Sequence, residues 1–130
     1  MSALLDAAIA AVTAAHTGSP RIYEVNAVPA QPSYPYSVVD VLDLDPDGYT
    51  LDQSHGFRDH MLTVQSFART NDGVIDYNRA AANALLDQTL DATGWSCDPC
   101  RFQTSRKYRD PDDSGVIGIT TVYAFMAKES

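Results

Sequence analysis

The segment from Asp59 to Thr70 constrains this chain more than any other. His60, Leu62, Val64 and Ser66 alternate with Met61, Thr63, Gln65 and Phe67. A period of two held over this length specifies a strand with two dissimilar faces. Such a strand needs neighbours in a sheet and a second layer over its apolar face. The neighbours are legible. Tyr36 to Leu44 reads as a strand with both faces partly apolar, and Arg21 to Asn26 is short and β-prone. Arg101 to Tyr108 alternates. Val116 to Ala127 sets Ile117, Ile119, Thr121, Tyr123 and Phe125 on one side. The turn cluster Asp110-Pro-Asp-Asp-Ser-Gly115 joins these last two as an antiparallel hairpin.

The second layer comes from two helical segments. Over residues 2–16, Leu4, Leu5, Ala8, Ile9 and Val12 fall on one face. Ser2 caps that segment, and Gly18-Ser19-Pro20 stops it. From Val74 to Ala92, Tyr77, Ala81, Ala84, Leu85, Leu86 and Leu90 form a wide apolar stripe. Asn71-Asp72-Gly73 caps it and Thr93-Gly94 ends it. Three prolines between Val28 and Tyr36 make an extended connection poor in hydrogen bonds. Asp45 to Gly56 reads as a polar loop. The order is α-β-β-β-α-β-β. The fold expected is a single α+β domain over 1–130, with two helices on one face of a mixed, largely antiparallel sheet.

Charge narrows the function. Nine basic residues stand against 17 acidic ones, a formal charge of −8. That excludes a module that grips the phosphate backbone, which needs a basic face. An acidic wall past which DNA slides is compatible with it. The acids are almost all Asp, a residue of turns and caps, so they belong to loops. They are unevenly placed. Asp40 to Asp59 holds six Asp and one Arg, whereas Arg101 to Arg109 holds four basic residues and no acid. This asymmetry suits neighbouring copies that meet acidic loop to basic strand. No apolar run approaches the roughly 18 residues of a membrane span. Met1 to His16 lacks the basic start of a signal peptide, so synthesis in the cytoplasm is expected.

Three groupings invite a chemical reading. Cys97-Asp98-Pro99-Cys100 is a CxxC, able to form a redox disulfide or half a zinc site. It follows a helix and precedes a strand, the reverse of the thioredoxin-like context in which a helix N-terminus activates the thiol. Zinc would need two further ligands, and His16, His55 and His60 are scattered. Asp43, Asp45 and Asp47, followed by Gly48, begin like a calcium loop. The bidentate Glu that an EF-hand needs at the twelfth position is Ser54 here. These three aspartates are the metal candidates, and no cofactor is expected. His55, Asp59 and His60 offer acid–base groups but no nucleophile elbow or phosphate cradle goes with them, so no catalytic residue is assigned. His60, alternating within its strand, is expected to be half-buried or to face a partner.

The ordered set of motifs resembles the tail-completion or tail-terminator proteins of long-tailed bacteriophages. The resemblance runs from about Arg21 to the C-terminus. It comprises Ile22-Tyr23, the Pro-rich lead into Tyr34-Pro35-Tyr36-Ser37-Val38-Val39, and His60 to Phe67 followed by Ala68-Arg69. A helix with Ala80-Ala-Ala and Ala84-Leu85-Leu86, the Asp110-Pro111-Asp112 turn and Gly118 to Phe125 complete it. The family pattern does not call for the CxxC.

The resemblance implies a structural protein rather than an enzyme. It implies a ring, generally of six copies, on the head-proximal end of the tail tube, at the head–tail junction of the virion. Such a ring stops tube growth, joins the head connector or head-closure protein, and passes DNA through its lumen without specific binding. On this reading the major tail-tube protein, the connector and further copies of the chain are the partners. The residues expected at subunit, tube or connector contacts are Asp43, Asp45, Asp47, Arg101, Arg106, Lys107, Arg109, Asp110, Asp112 and Asp113. The alternatives are another neck component, or a small thiol- or metal-dependent protein built on the CxxC.

Overall fold

The computed structural model describes residues 3–18, 20–44 and 57–129. Within them the chain runs α1 (Ala3–Ala14), β1 (Ile22–Glu24), β2 (Tyr36–Asp43), β3 (Arg58–Ala68) and α2 (Asn71–Leu85). β4 (Trp95–Cys97), β5 (Arg101–Arg109) and β6 (Ile117–Glu129) follow. The α+β order read from the sequence holds, with one short strand, β4, added ahead of the hairpin.

The strands form one six-stranded sheet in the order β1-β2-β3-β6, with β4 and β5 both on the far side of β6. β1 runs parallel to β2, and all other pairs are antiparallel. β6 is long enough to serve two partners. Its Ile117–Ala124 stretch pairs with β5 and its Ala127–Glu129 end with β4. The sheet therefore has two unlike edges, β1 on one side and β4 with β5 on the other.

The alternation in β3 becomes the division between faces. His60, Leu62, Val64, Ser66 and Ala68 are buried, while the residues between them are half-exposed. Register carries this across the sheet: Val39, Val64 and Thr121 lie in one row, Leu62 and Tyr123 in the next. On this face Leu4, Ala8 and Val12 of α1 and Ala81 and Leu85 of α2 close one core with Val39, Leu62, Val64, Tyr123 and Phe125. Burying each of the larger side chains contributes about 1.5–3 kcal/mol, so this face is the main source of stability. The opposite face carries Asp40, Met61, Thr63, Gln65, Thr120, Val122 and Ala124. Among the described residues no helix packs on it.

Two local details depart from the sequence reading. α2 is capped by Thr70, whose Oγ1 accepts from the Gly73 amide at 3.0 Å, one residue before the expected cap. α2 also ends at Leu85, not Ala92. The reason is a long-range contact. Cys100 pairs with Leu86, its carbonyl accepting from the Asp87 amide at 2.8 Å and its amide donating to the Gln88 carbonyl at 2.9 Å. Asp87 takes φ 58°, a left-handed conformation that Asp tolerates better than most residues. Backbone hydrogen bonds to a distant strand thus replace those of a further helical turn. Leu90 is still buried, while Leu86, counted in the apolar stripe, is exposed.

Candidate assembly surfaces

The expected contact residues separate into three places on the sheet. The first is the end where β2 finishes and β3 begins. Asp43 lies opposite His60 in the ladder. Its Oδ2 is 3.4 Å from Arg58 Nη2 and 3.8 Å from His60 Nε2. Arg58 also reaches Glu129 at 4.0 Å and lies over the Trp95 ring. The His60 ring stacks on Phe125 with Trp95 at its edge, and its Nδ1 donates to the Arg58 carbonyl at 3.0 Å. His60 is 2% exposed, so it is a core residue and not half-buried or facing a partner as the alternation suggested. Asp43 is thus tied within its own chain. Asp45, Asp47 and His55 lie outside the described residues. Among the described residues, no group of three or more His, Cys, Asp or Glu side chains is placed to hold a metal ion.

The second place is the opposite end, at the β5–β6 turn. Arg109 donates to the Ser114 carbonyl, Asp110 accepts from the Asp112 amide, and Asp113 accepts from the Gly115 amide at 3.0 Å. Arg69 bonds Asp113 at 3.1 Å and covers the Tyr34 ring at 4.8 Å. The Gly115 amide, together with the Arg69 guanidinium, holds the Asp113 carboxyl below its ordinary value. The turn is thus fastened to the Pro-rich lead through Arg69. Beneath it runs an aromatic row: Tyr23, Tyr34 and Phe67 surround Tyr36, and Tyr108 meets Phe67 edge-on. Arg69 was absent from the expected set. Its sequence signals were its place directly after β3, beside the helix cap, and the Ala68-Arg69 pair within the family resemblance.

The third place is β5 itself. Every residue in it except Tyr108 is exposed. Lys107 donates to the Asn71 Oδ1 at the start of α2. Ser105 bonds Thr121 at 3.0 Å, and Thr121 in turn donates to Asn78 of α2. Because the single Thr121 proton goes to Asn78, Ser105 is the donor to Thr121. On the helix-free face Gln65, Thr120, Val122, Thr104, Arg106 and Tyr108 border a shallow basin of about 630 Å³.

The cysteines flank the first and third places, Cys97 in the row of Arg58 and Cys100 directly before β5. Cys97 is half-buried in β4 and Cys100 is fully buried in the core. Burial pushes the Cys97 thiol up and raises that of Cys100 to about 11. A thiol acts as nucleophile or ligand only as the thiolate, so this setting works against the chemistry a CxxC suggests.

Comparison with known proteins adds three findings. A family model described as tail completion protein gp17 matches residues 2–126. No curated protein matches the chain. Among solved structures, a chain from the virion of a native gene transfer agent particle is similar at TM-score 0.64 and 17% identity. That match covers 93% of this chain and 84% of the other. At that identity the likeness concerns the fold.

Proposed function

This chain belongs to the tail completion protein family, and on that premise we propose that it forms the ring, of six copies, that caps the head-proximal end of a phage tail tube. The ring stops addition of tube subunits and offers its other side to the head connector or head-closure protein. The chain is made in the host cytoplasm and ends at the head–tail junction of the virion. It acts by shape and charge, without catalysis. The observation that carries this reading is the family match along nearly the whole chain.

The geometry supports it in two ways. The sheet has two charged ends separated by the full length of its strands. One is the Asp43 end, from which the segment with Asp45 and Asp47 departs. The other is the turn with Asp110, Asp112 and Asp113. Two opposite ends are what a part wedged between tube and connector needs, and these six aspartates are its contacts along the axis. Arg101, Arg106, Lys107 and Arg109 run along the β5 edge from one end to the other and point to neighbouring copies. The net charge of −8 suits a lumen that DNA crosses without being held, since phosphate is repelled from an acidic wall.

The test is electron microscopy of lysates from a phage lacking this gene, with tail length scored. Overlong tubes without heads establish the cap. Tails of normal length beside filled heads that fail to join move the chain to a connector role. Normal virions refute both.

A further inference from the structure

Resting on the ring reading, we infer that the outer edge of β5 is a docking strand for a second copy of this chain, which adds its β1 edge there, antiparallel and head to tail. β5 is nine residues long and, among the described residues, pairs only with β6, so half of its backbone donors and acceptors face away from the sheet. A bulge between Phe102 and Thr104 confines regular pairing to Thr104–Arg109. An edge of that length is an open template for another strand.

Charge selects which strand. β5 carries Arg101, Arg106, Lys107 and Arg109 and no acid. Two β5 strands pairing by a twofold would place eight cations in one ladder, which like-charge repulsion opposes. β1 and β2, at the other edge, carry Glu24, Asp40 and Asp43 and no cation of their own, with Arg21 directly before β1. Glu24 is half-exposed, although one of its oxygens, Oε2, is buried without a hydrogen-bond partner among the described residues. The two edges are thus unlike and complementary, the requirement of a heterologous contact, which closes into a ring when its rotation allows. Each edge also exposes one large apolar side chain, Phe102 on β5 and Val25 beside β1.

Register sets the height. Tracing one row across the sheet links Ile22, Ser37, Ser66, Ile119 and Lys107. The row two residues away links Glu24, Val39, Val64, Thr121 and Ser105. The three residues of β1 therefore stand level with Ser105–Lys107, inside the regular part of β5. Strand direction agrees as well. β1 runs with β2 and β6, against β3 and β5. A neighbour related by rotation about an axis along the strands then meets β5 antiparallel, the geometry with straight hydrogen bonds.

The experiment uses the full chain. With Cys97→Ser and Cys100→Ala removing the native thiols, Glu24→Cys and Ser105→Cys are combined in one chain. Oxidation is expected to give a series of covalent multimers ending in a closed species. Neither single variant is expected to form more than traces of dimer. In the native background, Arg106→Glu is expected to raise the concentration needed for assembly by about tenfold. Arg79→Glu, an equal charge change on the outer side of α2, is expected to leave it unchanged. Glu24→Lys and Lys107→Glu, whose side chains share one face two positions apart in this register, are each expected to weaken assembly and together to recover it. Absence of the multimer series, efficient dimers from Ser105→Cys alone, or equal effects of Arg106→Glu and Arg79→Glu would overturn the inference. If rings and tail length are normal while these fail, the edge contact is wrong and the cap stands. If the gene deletion leaves tails normal while cross-linking succeeds, the cap is wrong and the contact stands.

Discussion

The pair Ser37 and Ser66 offers a sharp test of how this sheet is built. The two residues lie directly opposite on β2 and β3, both fully buried, with their hydroxyl oxygens 2.9 Å apart. Each hydroxyl has the other as its partner on a face otherwise sealed by apolar groups. Replacing one serine by alanine removes a single oxygen but strands the other hydroxyl away from water. That desolvation costs about 1–3 kcal/mol, whereas removing both partners is close to neutral. For 130 residues the unfolding entropy is about 0.27 kcal/mol/K, so a 2 kcal/mol loss lowers Tm by about 7 °C. Ser37→Ala and Ser66→Ala are each expected to lose that much in calorimetry. The double variant is expected to melt within about 3 °C of the native chain, a coupling of at least about 2 kcal/mol. Additive losses would refute the reasoning and mean that each hydroxyl is satisfied independently.

Other outcomes follow from the same coordinates. Leu62→Ala, at a fully buried site in the middle of β3, is expected to cost about 2–5 kcal/mol in urea unfolding. Thr63→Ala, on the helix-free face one residue on, is expected to cost less than about 1 kcal/mol. Gly118→Ala places a methyl 2.7 Å from the Tyr108 ring, which is held to Thr120 at 3.1 Å and against Phe67. Displacing it is expected to cost about 1–3 kcal/mol. Asp113 is held below its ordinary value, so its part in ordering the turn is fully present above that value and lost as pH falls through the folded-state pKa. The Gly115 amide resonance is expected to titrate below the ordinary value of 3.8 in the native chain. Asp113→Asn is expected to abolish that titration. Cys100, raised to about 11 by burial, is expected to resist a thiol reagent at pH 8 until the chain is unfolded. Rapid labelling of two thiols in the folded protein would return the CxxC to consideration.

The parts of the fold that sequence revealed are those governed by local period. β3 and β6 alternate because one face meets the helices, and both strands were legible residue by residue. β2 was legible as a strand with two apolar faces, and the structure supplies the reason. Val39 packs under the helices while Tyr36 and Val38 are buried on the other face, Tyr36 among Tyr23, Tyr34 and Phe67. What escaped was set by distant partners. Nothing near Leu86 signals that Cys100 ends the helix there. Nothing in Trp95-Ser96-Cys97 marks a strand until Ala127 to Glu129 is placed beside it. His60 belongs to the same class. Its burial depends on Phe125 and Trp95 closing over a polar ring whose Nδ1 finds the Arg58 carbonyl.

The charged segments show the same limit and its consequence for assembly. In sequence, residues 40–59 and 101–109 are simply opposite in sign. The sheet converts them into different directions. Of the first, Asp43 and Asp59 lie where β2 ends and β3 begins, at one end of the strands, while the second lies along an outer edge. An end and an edge of one sheet meet different neighbours in any closed ring whose axis follows the strands. The carboxylate that stands level with the regular part of β5 is then Glu24, in the row of Ser105 and on the face of Lys107, rather than those beyond Leu44. Contacts along the axis and contacts around the ring are therefore separable by mutation. Charge changes at Asp110, Asp112 and Asp113 act on attachment to tube or connector. Changes at Arg106 and Glu24 act on closure of the ring itself. Because the edge charges are exposed, closure is the step that added salt weakens first, the Debye length falling to about 3 Å at 1 M.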